Sequence, residues 1–101
     1  MIRGTTPTLV FRTSIDCSKL TLLNIAFAQN GKIVLEKNLS QCNIDGNTAS
    51  VTLTEEDTLL FDYKKKVEIQ VRAGCGSTRL ASRIIVEDVG RILKDGVLDD
   101  N

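Results

Sequence analysis

The residues able to do chemistry in this chain fall into small groups. Glu55, Glu56 and Asp57 are the densest run of carboxylates, the kind of cluster that can act as an acid pair or hold a hard cation. Thr54 stands three residues before Asp57, which is the spacing of a capping box. Acidic side chains in a first helical turn also meet the positive end of the peptide dipoles. The simpler reading gives these carboxylates to the start of a helical turn. Cys17, Cys42 and Cys75 form a second group. Three thiolates can bind zinc, but zinc ligands normally come in local pairs, and no C-x-x-C spacing is present. Free thiols, buried or partly exposed, are the better reading. Lys64, Lys65 and Lys66 could attract an anion, yet a lysine run beside a strand more often shields its end in a solvated loop.

Other routes to catalysis are thin. The chain has no histidine, so the usual general base near neutral pH is missing. A cysteine nucleophile would have only lysines or carboxylates to activate it. Gly74-Cys75-Gly76-Ser77 is a turn rather than a phosphate loop, because no Lys-Ser/Thr pair and no helix follow. We therefore expect no catalytic residue, no metal and no cofactor.

Composition narrows the class. The chain has 101 residues, 42% of them hydrophobic, and its 13 basic residues balance its 13 acidic ones. That length fits one domain with a real core. A net charge near zero gives no support for nucleic-acid or membrane-surface binding, and it leaves little repulsion against self-association. Four aromatic residues and no tryptophan give no support for a base-stacking platform. The apolar runs are too short to span a membrane, and the N-terminus lacks the apolar core of a signal peptide. We expect synthesis and retention in a reducing cytoplasm until assembly.

The elements that must position these groups read as strands. Thr8 to Thr13 alternates, with Leu9 and Phe11 on one face. Lys19 to Gln29 places Leu23, Ile25 and Phe27 on one face and Leu20, Leu22, Ala26 and Ala28 on the other. A strand apolar on both faces is central in its sheet, or its second face is covered by a partner. Asn30-Gly31 predicts a type I′ turn into Lys32–Asn38, with Ile33 and Leu35 facing in and Val34 out. Gln41–Ile44 and Thr48–Leu53 flank Asp45-Gly46-Asn47, read as a three-residue loop. The turn at Thr54–Phe61 should close one end of the core with Leu59, Leu60 and Phe61. Val67–Arg72 and Thr78–Val86 complete the set. The expected fold is a single immunoglobulin-like antiparallel β-sandwich of about seven strands, occupying residues 1–90, with one short helical turn near Thr54–Phe61.

A C-terminal tail, residues 91–101, follows. Val89, Ile92, Leu93, Val97 and Leu98 make it more apolar than the loose, polar ends of most domains. It either folds back over its own domain or docks on a neighbouring subunit as an added strand or short plug. The N-terminal segment, Met1–Thr6, reads as short and flexible.

Several short motifs resemble those of immunoglobulin-like modules in tailed-phage virion proteins. They are the opening Arg3-Gly4-Thr5-Thr6-Pro7 with Phe11, then Asn30-Gly31-Lys32, then Leu53-Thr54-Glu55-Glu56-Asp57-Thr58. Their order is similar to that in the N-terminal domain of phage baseplate upper proteins. The resemblance implies a non-enzymatic virion protein of a baseplate, head–tail junction or capsid surface, acting by subunit packing. Its partners would be other virion proteins or further copies of itself, with no nucleic acid and no membrane. The expected subunit contacts are Ile2 and Arg3 in the N-terminal arm, Leu20 and Leu22 on the second strand, and Arg91, Ile92 and Leu93 in the tail. The alternative is a monomeric intracellular immunoglobulin-like module that binds another protein through its loops.

Overall fold

Backbone pairing in the computed structural model, which describes residues 1–99, follows the alternation in the sequence. Strands β1 (Thr8–Arg12), β4 (Asn43–Asp45) and β5 (Thr48–Thr52) form one antiparallel sheet in the order β1-β5-β4. The second sheet runs β3-β2-β6-β7, with β2 (Leu22–Gln29), β3 (Lys32–Asn38), β6 (Val67–Cys75) and β7 (Thr78–Ala81). A short β8 (Ile85–Glu87) also pairs with β6. Hence β7 and β8 are one strand position interrupted at residues 82–84, and the strand predicted over Thr78–Val86 is split in two. Ser82 causes the break. Its N–H donates to the Val71 carbonyl at 2.8 Å and its Oγ accepts from the Val71 N–H at 3.0 Å, so a side chain takes the place of a backbone carbonyl in the ladder.

Two sheets whose second, third, sixth and seventh strands form the β3-β2-β6-β7 layer, linked across by a helical turn, have the immunoglobulin-like arrangement. Residues of both inner faces fill the core. Ile25, Phe27, Val67 and Ile69 come from one sheet, Ala49 and Val51 from the other. Phe61 closes one end, its ring 5.8 Å from that of Phe27.

Helix α1 (Glu55–Leu59) starts as the spacing predicts. Thr54 Oγ1 accepts from the Asp57 N–H, and Asp57 Oδ2 accepts from the Thr54 N–H. Leu60, expected in the apolar plug, instead faces solvent, since three successive residues of a helical turn cannot share one face. Asn30 and Gly31 both take positive φ, at 53° and 78°, as the I′ turn requires.

Other departures have local causes. The register between β2 and β3 shifts between Phe27 and Ala28, so Val34 is the extra residue of a β-bulge. Val34 packs against the core and Ile33 turns out to solvent, the reverse of the alternation read from the sequence. The β4–β5 loop has two central residues, since Asp45 pairs with Thr48. The second strand starts at Leu22, because Cys17–Lys19 forms a 3-10 turn capped by Asp16, whose carboxylate accepts from the Ser18 N–H at 3.0 Å. The N-terminal segment is structured. Ile2 forms a parallel bridge with Gly90, held by Arg3 N–H to Gly90 O at 3.0 Å and Gly90 N–H to Met1 O at 2.7 Å.

Candidate interaction surface

The acidic cluster resolves into structural roles. Asp57 pairs with Lys37 at 2.9 Å, both side chains mostly buried, while capping α1. Burial pushes its pKa up, but the Lys37 hydrogen bond, the bonds to Thr54 and the Lys37 charge outweigh it and hold the carboxyl below its ordinary value. Glu55 accepts from the Leu98 N–H at 2.9 Å. Among the described residues no three Cys, Asp or Glu side chains gather as a metal site would need.

The cysteines are free thiols. Cys17 is buried in the core. Cys42 is half-buried and donates from Sγ to the Asn38 carbonyl at 3.3 Å. Burial raises its pKa, against a smaller pull from the Lys37 charge. Such a thiol is a poorer nucleophile at neutral pH than a free one.

The residues expected to make subunit contacts do not form one patch. Leu20 is only 8% exposed and belongs to this chain's own core, because the 3-10 turn swings it inward before β2 begins. Leu22, 55% exposed, does lie on the outer face of the second sheet. Below it that face is not broadly apolar. Half-buried Ala26 is flanked by Glu36 and Gln70, and half-buried Ala28 by Glu68 and the exposed Ile33.

Arg3 is not a free arm. Its Nε donates to the Phe61 carbonyl at 2.8 Å, its Nη2 to the Leu59 carbonyl at 2.9 Å, and its Nη1 to Asp95. It therefore satisfies carbonyls that the end of α1 leaves unpaired and ties the tail to the same spot. Ile92 is half-buried against Gly4, whose missing side chain makes the room. The described part of the tail thus lies against its own domain, and residues 100–101 fall outside the described residues. Its apolar side chains gain little from this. Leu93 is 92% exposed, and Leu98, 80% exposed, lines a cavity of about 660 Å³ beside Gly4 and Glu55. Arg91 is exposed too.

A second surface escaped the sequence reading. Among the described residues, strand β1 pairs with β5 alone, and β7 and β8 pair with β6 alone, so two sheet edges lie open on the same side of the sandwich. Between them runs a groove of about 460 Å³. Val10, Phe11, Leu80 and Ile85 give it an apolar lining, and among the described residues Arg12 and Arg83 are the charged ones that line it. Ile84 and Val86 add exposed apolar surface to the same edge. The signal was available: Ile84-Ile85-Val86 is a run that cannot all face inward in a strand of period two.

Open edges and exposed aliphatic side chains can bind an extended segment but supply no group for bond-making chemistry. No helix among the described residues is long and apolar enough to cross a membrane. No family model and no curated protein matches the chain. Among solved structures, it is similar to the immunoglobulin-like domain of mouse leukocyte-associated immunoglobulin-like receptor 1, crystallised as a strand-swapped dimer. The two share 13% identity over 91% of this chain and 84% of that one, with a TM-score of 0.49.

Proposed function

We propose that this chain is a non-enzymatic structural module of a tailed-phage particle and works by packing against neighbouring subunits. The observation that carries the packing is the apolar groove between the open edges of β1 and β7–β8. Monomeric domains usually cover or charge such edges. Here Val10, Ile84 and Val86 are each at least half exposed beside them. The particle assignment follows the resemblance of the Arg3–Pro7, Asn30–Lys32 and Leu53–Thr58 motifs to virion modules.

The mechanism is burial of aliphatic surface, about 25 cal/mol per Å² before the costs of ordering. Mass spectrometry of purified particles raised from the genome that encodes the chain tests the assignment. The chain is expected in them in multiple copies per particle. Its absence from particles, with abundant free protein in the infected cell, would contradict the assignment and favour a monomeric binding module.

A further inference from the structure

We propose that the groove between β1 and β7–β8 receives residues 95–99 from the tail of a second copy of this chain, added as a strand along β1. The inference rests on the assembly reading above and names the partner of that surface.

Length and pattern agree. The segment Asp95-Gly96-Val97-Leu98-Asp99 has the five residues of β1 itself. In an extended strand its odd positions face one way and its even positions the other. With Val97 set beside Val10, Asp95 or Asp99 falls opposite Arg12 in either strand direction. Leu98 then faces inward, on the side of Leu9 and Phe11. Opposite charges placed across a strand pair stabilise it.

Charge complementarity supports the same partner. Arg12 and Arg83 carry the charge along the groove, and the segment carries acids with no basic residue. Where the tail lies against its own domain, Leu93, Val97 and Leu98 stay at least half exposed, so their burial is still to be gained.

The surface area fits as well. The chain exposes 6687 Å², against about 5,600 Å² for a compact monomer of 11.1 kDa. The surplus is of the order that one side of an ordinary interface buries, about 800 Å². The tail lies beside α1, whereas the groove is bounded by Thr13, Leu20 and Leu23 toward the opposite end. Each copy thus donates at one surface and receives at another, a head-to-tail contact that closes as a ring or extends as a filament.

The test uses full-length chains in analytical ultracentrifugation. Leu98→Asp removes the donor and Val10→Lys blocks the groove. Both sites are exposed, and circular dichroism verifies that each variant is folded. If Val10→Lys fails to fold, Arg12→Glu replaces it. The wild-type chain is expected to self-associate, each variant alone to associate at least tenfold more weakly, and their mixture to form a 1:1 complex through the one intact donor and the one intact groove. Self-association unchanged by Leu98→Asp would overturn tail insertion while leaving the assembly reading standing. So would a mixture that stays monomeric. A wild-type chain that is monomeric at every concentration would also overturn tail insertion, and the particle assignment would then rest on the mass-spectrometric test alone.

Discussion

Gln29 grips Asp62 with both ends of its amide. Its Nε2 donates to the Asp62 carbonyl at 2.8 Å and its Oε1 accepts from the Asp62 N–H at 2.9 Å. A further bond runs from Nε2 to the Lys65 carbonyl at 3.0 Å. This buried side chain ends β2 and fixes the loop that leads from α1 to β6. Gln29→Ala strands these partly buried backbone groups, so we expect a loss of about 2 kcal/mol. Urea unfolding should show a lower midpoint with an unchanged slope.

Thr54→Ala removes the N-cap of α1 and should cost about 1 kcal/mol by the same measurement. Asp57 adds a pH dependence. Its folded pKa lies below its ordinary value, so its contribution is complete above about pH 4, the unfolded range. It is lost as pH falls through the folded pKa. A stability profile of Asp57→Asn should lack this acid-side loss and be lower than wild type at neutral pH.

Arg3→Ala should free the tail. The guanidinium holds Leu59, Phe61 and Asp95 together, so hydrogen exchange should quicken at residues 95–98 and at the end of α1. Exchange in β2 should be unchanged. If the tail is donated to a second copy, the variant should also associate more readily, because less is lost when the tail leaves its own domain.

Gly31→Ala should cost about 1 kcal/mol through backbone strain alone. Its φ is 78°, and nothing lies within 4 Å of an added Cβ. Left-handed backbone penalises any residue that carries one. Thermal unfolding of this variant checks the assignment of the hairpin as the element that fixes the β2–β3 register.

Much of the fold was legible because its signals are local. Asn30-Gly31 demands a tight hairpin, Thr54 with Asp57 demands a helical start, and alternation at Leu23, Ile25 and Phe27 marks a buried face. What was not legible depends on tertiary contacts. The bulge at Val34 inverts Ile33 and Val34 without any turn residue to announce it. Leu20 looks like a strand residue until the Cys17–Lys19 turn carries it inward. Arg3 reads as a subunit contact in a flexible arm, because nothing nearby in sequence reveals that the end of α1 lies beside it. The groove was harder still, since it is made by two edges far apart in sequence, and only the Ile84-Ile85-Val86 run hinted at it. The tail's apolar residues were conspicuous in the sequence, and Leu93, Val97 and Leu98 stay at least half exposed in the structure.

The central claim is that this sandwich exposes apolar surface in order to associate. Light scattering of the intact chain over a wide range of concentrations tests it most directly. The account predicts a mass that rises from 11.1 kDa to multiples of it as concentration increases, and a rise suppressed by Val10→Lys. A constant 11.1 kDa throughout, identical for wild type and Val10→Lys, would contradict it.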